Sequence, residues 1–184
     1  MSFQVHAKQH LRRQGNLGIG GHQSARAGTV EWLTPLEILR ALGDFDLDPC
    51  APVERPWNMA RTHYTLREDG LSLPWWGRVF MNPPYGGDTW AWLARLAEHG
   101  NGIGLIFART ETEGFHDFAW PRADGFLFFR SRLHFHHLDG RRAKGNCGGP
   151  SVLIAYGENN VEALERSGIR GALLGPATII GDPS

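Results

Sequence analysis

The chain has 184 residues, 41% of them hydrophobic, which suffices for one well-cored domain but not for two large ones. Its formal net charge is zero, which excludes nucleic-acid binding through a uniformly basic surface, so any such binding needs a local basic patch. Two cysteines and the absence of a long apolar run exclude a disulfide scaffold and a membrane span, and we expect a cytoplasmic protein without a membrane partner.

The first 28 residues mix arginine, histidine and glycine without periodicity. This composition favours a flexible N-terminal arm, residues 1–28, ahead of one domain, residues 29–184. An arm that contacts DNA or a second copy of the chain is the alternative interpretation. The 24 glycines and 11 prolines indicate many turns, which suits an alternating α/β fold for the domain.

A helix is predicted over residues 35–42. Thr34 and Glu37 have the spacing of a capping box, Pro35 occupies the expected first helical position, and Gly43 is suited to the end of the helix. Phe45 and Leu47 then alternate with carboxylates and predict a strand.

That strand ends in the loop Asp48–Pro49–Cys50–Ala51. A second strand is predicted around Thr62–Leu66. It is followed by Asp69–Gly70, a dipeptide typical of turns, which is the simplest interpretation of this pair from the residues alone.

The central stretch is a short apolar run, Val79–Met81, that stops at two prolines. The run predicts a buried strand, and Pro83 and Pro84 cannot extend a sheet interior because they lack N–H donors. The Asn82 side-chain oxygen and the Pro83 carbonyl are therefore two acceptors on a rigid corner, which suits a planar NH2 group. Such acceptors can stabilise the charge that develops on the amine in a transition state. Tyr85 could stack on the ring that carries the amine.

The second half of the chain predicts a helix that begins after Asp88 and ends at Gly100, then strands over 103–108, 125–130 and 151–156. A short helix is expected over 115–120. His116 and Asp117 have no third ligand at a recognisable spacing, so no metal site is expected.

Residues 130–150 carry dense positive charge and an Asp–Gly pair, which predicts a basic hairpin. Basic side chains interleaved with His and Phe suit phosphate contacts with some base contact, although a solvated charged hairpin is the alternative. The residues expected to contact DNA are all basic: Arg109, Arg130, Arg132, Arg141, Arg142 and Lys144.

Across residues 30–157 the order of the motifs resembles the phage DNA N6-adenine methyltransferase family. The matching segments are Trp32–Pro35, Asp46–Ala51, Asp69–Leu71, Asn82–Gly86, Arg109–Thr110, Phe115–Asp117, Arg130–Phe135 and Pro150–Leu153.

The resemblance implies a single Rossmann-like methyltransferase domain, a mostly parallel sheet with one antiparallel strand near its end. It also implies transfer of a methyl group from S-adenosylmethionine to an adenine flipped out of double-stranded DNA, in a bacterial or phage-infected cell. The residues that it assigns to catalysis are Asn82, Pro83, Pro84 and Tyr85. Those that it assigns to the cofactor are Thr34, Pro35, Asp48, Pro49, Cys50, Ala51 and Asp69.

Two other functions remain open from the sequence. The same corner would serve an amino-methyltransferase acting on RNA or on a protein glutamine, and a catalytically silent DNA-binding module could share the fold. Because no separate recognition domain is evident in the sequence, we also expect a homodimer whose two basic hairpins face one duplex.

Overall fold

The computed structural model describes residues 31–86 and 88–180, and the predicted arm lies outside this range. The described part is α/β, as expected, and its elements alternate along the chain. The helices are α1 Leu36–Leu42, α2 Thr89–His99, α3 Glu113–Phe118 and α4 Glu158–Arg166. The strands are β1 Leu47–Asp48, β2 Thr62–His63, β3 Val79–Met81, β4 Gly102–Phe107, β5 Gly125–Phe129, β6 Ser151–Tyr156 and β7 Gly171–Leu174.

The seven strands form one mixed sheet in the order β2-β1-β3-β4-β6-β5-β7. The β2, β1, β3 and β4 strands pair in parallel, whereas β6 lies antiparallel between β4 and β5, and β7 pairs antiparallel with β5. The expected α/β sheet, with parallel strands first and antiparallel pairing near its end, is confirmed. No strand was predicted beyond residue 156, so β7 adds a strand to the expected sheet.

Both faces of the central strands of the sheet are buried, whereas the edge strand β7 is exposed. In β3, Phe80 packs into the core on one face, while Val79 and Met81 pack into the core on the other face. Leu153 and Ile154 in β6 divide between the same two faces. Successive strand residues point to opposite faces, so a continuous apolar run such as Val79–Met81 requires a sheet that is covered on both sides.

The start of α1 differs from the prediction. Pro35 has ψ of 131° and precedes the helix, which begins at Leu36, and no side chain caps the helix. The Thr34 hydroxyl is buried without a hydrogen-bond partner, so the predicted capping box does not form. The reason is tertiary: Leu33 forms an antiparallel bridge with His136, which draws Thr34 into the interior.

The predicted basic hairpin, residues 130–150, is also wrong in part. A tight turn does form at its tip, where the His137 N–H donates to the Arg141 carbonyl (2.9 Å) and Gly140 has φ of +84°. No regular strands flank this turn within 130–150, and His136 pairs with both Arg142 and Leu33. We call residues 130–150 the basic loop.

Among the described residues, no helix has both the length and the apolar character needed to cross a bilayer.

Candidate active site

The site lies where the chain reverses its direction across the sheet. Strands β1 and β3 are parallel neighbours, but β1 leads to β2 on one side and β3 leads to β4 on the other. Ligands bind at such switch points, outside the carboxyl ends of the strands. Asp48 ends β1 and Asn82 directly follows β3, so both predicted side chains lie at this edge.

A cleft of about 450 Å³ opens at this edge, within the range of small-molecule sites. It brings together most of the residues predicted from the sequence: Asp48, Pro49, Cys50, Ala51, Asp69, Asn82, Pro83, Pro84 and Tyr85. Thr34 and Pro35 are buried and do not line the cleft, although their neighbours Glu31 and Trp32 do.

The Asn82 amide has a defined orientation. Its Nδ2 donates to the Trp32 carbonyl at 3.2 Å, and its Oδ1 lies 3.5 Å from the Tyr85 hydroxyl. Because a carbonyl can only accept, the contact with Trp32 assigns the NH2 group to that side and leaves the oxygen as the group available for an incoming donor. The Pro83 carbonyl accepts no hydrogen bond from the described residues, so it is a second free acceptor.

Helix α2 holds this corner rigid. The hydroxyl of Thr89, its first residue, donates to the Pro84 carbonyl at 3.1 Å and accepts the Gly86 N–H at 3.3 Å. The corner is therefore fixed from both ends, by β3 before it and by α2 after it.

Tyr85 is held by two phenylalanines. Its ring stacks on Phe107 with a centroid distance of 4.3 Å and forms a T-shaped pair with Phe135 at 6.0 Å. Burial raises the pKa of the Tyr85 phenol far above its usual range, so the hydroxyl stays protonated and can donate. One ring face is thus occupied, and the phenol is a neutral donor beside Asn82.

Asp48 is a buried carboxylate, with 1% of its surface exposed. Burial raises its pKa from 3.8 to about 7, against the opposing effects of a hydrogen bond from the Cys50 N–H (3.0 Å) and the charge of Arg55. Burial, together with the charge of Asp48, also raises the pKa of the Cys50 thiol, so that thiol is uncharged and unreactive as a nucleophile.

The charged side chains that line the cleft, among the described residues, are all acidic. Four of its described lining residues carry carboxylates, namely Glu31, Asp48, Asp69 and Asp88, and none of the described lining residues is Lys, Arg or His. Much of the remaining lining is apolar, from Ala51, Pro52, Met59, Leu66 and Trp92. This combination favours a ligand that has apolar surface and positive charge.

The loop after β2 closes one side of the cleft. Its Asp69 has φ of +53°, and Gly70 packs so tightly that an added Cβ would lie 1.9 Å from the Pro49 carbonyl oxygen. The Trp75 indole N–H donates to the Gly70 carbonyl at 2.7 Å. Leu66 is exposed at the rim, on a turn that Glu68 caps through the Thr65 N–H (2.7 Å). The Asp–Gly pair is a turn, as expected, and it also brings Asp69 to the cleft.

Several lining residues were not predicted, and Trp32 is the most informative because its carbonyl orients Asn82. Trp32 belongs to the Trp-x-Thr-Pro motif, of which only Thr34 and Pro35 were predicted to contact the cofactor. The other unpredicted lining residues are Glu31, Pro52, Met59, Thr65, Leu66, Gly70, Asp88 and Trp92.

The predicted DNA-contacting residues lie outside the cleft. Arg109, Arg130, Arg132, Arg141, Arg142 and Lys144 are exposed. Arg141 forms an ion pair with Asp139 (2.6 Å), and Arg132 donates to the Cys147 carbonyl (3.3 Å). The Ala108 N–H donates to the Pro150 carbonyl (2.9 Å), which places Arg109 beside the end of the basic loop.

The chain matches no model of a known protein family, and a search of curated proteins also gives no match. The function is therefore inferred from the chemistry of the site.

Proposed function

We propose that this protein is a DNA adenine N6-methyltransferase that uses S-adenosylmethionine. The observation that carries the proposal is the oriented Asn82 amide, whose oxygen is available on a rigid Pro–Pro corner beside an acidic cleft. An acceptor of this kind suits an amine that must lose a proton, and an acidic cleft suits a cationic cofactor. A sheet that is parallel at its start and antiparallel at its end supports the proposal at the level of fold class.

The cleft residues fit this cofactor. S-adenosylmethionine supplies an electrophilic methyl group and carries positive charge on its sulfonium and ammonium groups. Asp48 would pair with the ammonium, and Asp69 would approach the adenosyl portion, for which Ala51, Met59 and Leu66 offer apolar contacts. A nucleotide that carries phosphates would instead meet four carboxylates and no described basic side chain in this cleft.

The corner residues would handle the exocyclic amine. Asn82 Oδ1 and the Pro83 carbonyl would accept its two N–H groups, which raises the electron density on the nitrogen and stabilises the positive charge that it gains as it attacks. The methylated nitrogen would then lose one proton to solvent. Tyr85 offers the face that is not covered by Phe107 for stacking on the adenine ring.

Double-stranded DNA would bind through the exposed arginines of the basic loop and Arg109. Adenine N6 cannot reach Asn82 from inside a duplex, so the base is flipped, at a cost of a few kcal/mol in unstacking. A homodimer that presents two basic loops to one duplex is part of the proposal, because a single copy of this size has little surface for specific binding.

The test is a methyl-transfer assay with labelled S-adenosylmethionine and three acceptors: double-stranded DNA, RNA and a glutamine-containing protein. We expect label in DNA, recovered as N6-methyladenine. Label in RNA or in protein alone would identify a different amino-methyltransferase. Cofactor binding without transfer to any acceptor would favour a catalytically silent module.

Asn82→Ala should lower kcat on DNA by a factor of about 100 or more, because it removes an acceptor that acts in the transition state. Cofactor affinity, measured by calorimetry, should stay close to that of the wild type. Asn159→Ala is the matched control, since Asn159 is an exposed asparagine of α4. Near-normal turnover by Asn82→Ala would remove Asn82 from the mechanism.

A further inference from the structure

Residues Trp32 and Leu33 connect the candidate catalytic corner to the basic loop. The Trp32 carbonyl accepts the Asn82 amide N–H at 3.2 Å. The next residue, Leu33, exchanges two backbone hydrogen bonds with His136, at 2.9 and 3.0 Å. The Asn82 side chain is therefore separated from the basic loop by a single peptide unit that is hydrogen-bonded on both sides.

The residues on either side of His136 also contact the site. The His137 ring packs on the Trp32 indole with a centroid distance of 5.0 Å, and Phe135 meets the Tyr85 ring at 6.0 Å. Phe135 thus contacts Tyr85 directly, whereas His136 and His137 contact Leu33 and Trp32, the segment whose carbonyl accepts the Asn82 amide N–H. Neither Asn82 nor Tyr85 is held by its own corner alone.

The orientation of the Asn82 amide decides what it can do. With its NH2 group on the Trp32 carbonyl, the amide offers an oxygen to the substrate amine. A rotation of the amide by 180° would offer N–H donors to an amine that needs acceptors. The position of the Trp32 carbonyl therefore selects the productive orientation, and that position depends on Leu33 and on the His137 ring.

We propose that Phe135–His137 is a positioning segment, which holds the Trp32 carbonyl and the Tyr85 ring so that Asn82 presents its oxygen. The inference rests on the proposed function and adds to it a physical link between the DNA-binding loop and the group that receives the adenine.

His137→Ala tests the segment by removing the ring that packs on Trp32 while keeping the backbone hydrogen bonds of residue 137. We expect kcat on DNA to fall about tenfold, with the dissociation constants for DNA and for S-adenosylmethionine unchanged. His137→Phe keeps an aromatic ring and should restore most of kcat. His134→Ala is the matched control, since His134 is a half-buried histidine of the same loop that contacts the Ala143 carbonyl (3.4 Å) rather than Trp32.

An NMR measurement gives a readout that does not depend on activity. The side-chain amide of Asn82, assigned by its loss in Asn82→Ala, should exchange slowly in the wild type and in His137→Phe, and faster in His137→Ala. Equal exchange in all three proteins would overturn the inference, as would a loss of DNA affinity with kcat preserved, or equal effects of His137→Ala and His134→Ala. If the wild type methylates no acceptor, the proposed function fails, and the exchange rates still decide whether the segment orients Asn82.

Discussion

At the scale of single residues, Asp48 is a buried carboxyl group that lowers stability when it ionises. Its carboxylate is buried beside Cys50 and Ala51, and burial raises its pKa to about 7. A carboxyl that holds its proton more tightly in the folded state disfavours folding once the pH rises far enough to ionise it. A cationic ligand reverses this effect, because it stabilises the ionised form in the cleft.

We therefore expect Asp48→Asn to change how stability depends on pH. Between pH 4 and pH 7 the folded wild type binds a proton at Asp48 that the unfolded chain does not, so its free energy of unfolding should fall as pH rises through this window. Asparagine keeps the acceptor for the Cys50 N–H but cannot ionise, so the variant should be more stable above pH 7, by up to roughly 4 kcal/mol.

Urea unfolding at several pH values would measure the difference between Asp48→Asn and the wild type, and calorimetry would give the cofactor affinity. The variant should bind S-adenosylmethionine more weakly despite its greater stability. If the free energies of unfolding of the two proteins depended on pH in the same way, Asp48 would not be a buried carboxyl group that holds a proton in the folded state. Unchanged affinity would assign Asp48 a structural role.

At the scale of elements, local sequence signals predicted the parts that are locally determined. Strand β3 ends where the prolines remove N–H donors, and α2 begins after Asp88 and ends at Gly100, which adopts a left-handed conformation. The predicted start of α1 was wrong for a tertiary reason. The bridge between Leu33 and His136 joins residues far apart in sequence, and local patterns carry no information about such a pairing.

The loop after β2 depends on a close approach that only glycine allows. Gly70→Ala would place a methyl group against the Pro49 carbonyl, so the loop must shift away from β1. We expect a loss of about 1–3 kcal/mol in the free energy of unfolding, typical of overpacking. Cofactor affinity should also fall, because Asp69 and Leu66 belong to the same loop.

Gly145→Ala is the matched control for this substitution, since an added Cβ at Gly145 meets no atom within 4 Å. Thermal unfolding and calorimetry on both variants would separate the effects. If Gly70→Ala were as stable as Gly145→Ala and bound the cofactor equally well, the packing of the Asp69–Gly70 turn on Pro49 would not matter for the site.

At the scale of the whole molecule, the sequence predicted half of the described residues that line the cleft, because most of them follow strand ends that a parallel sheet brings to one edge. It did not predict that the Trp32 carbonyl orients Asn82, because the two residues are fifty positions apart in the sequence. The contact also uses a backbone atom of Trp32, a residue for which no role was predicted. A motif indicates which side chains form a site, whereas a backbone carbonyl that accepts a hydrogen bond from one of them can be identified only in the folded structure.

Charge is separated across the molecule although the formal net charge is zero. Among the residues that the structure describes, four carboxylates line the cleft, and the exposed arginines of the basic loop lie outside it. A nucleic-acid backbone is repelled by the first group and attracted by the second, so the proposed function requires phosphates to stay on the loop while one base enters the cleft.

The double variant Arg141→Ala/Arg142→Ala tests this arrangement through the salt dependence of DNA binding. Each phosphate contact contributes about −0.9 to the slope of log K against log salt concentration. The loss of two contacts therefore reduces the magnitude of the slope by up to about 2. Arg141 already pairs with Asp139, but an exposed pair is weak and can exchange for a phosphate, so we expect a decrease between about 1 and 2. Cofactor affinity should not change.

Arg40→Ala/Arg166→Ala is the control, because these arginines lie on α1 and α4 and Arg166 is similarly paired, with Glu162 at 2.6 Å. Light scattering on the same protein–DNA samples would report the expected dimer. An unchanged slope would exclude the loop from the interface, and one protein copy per duplex would exclude the dimer.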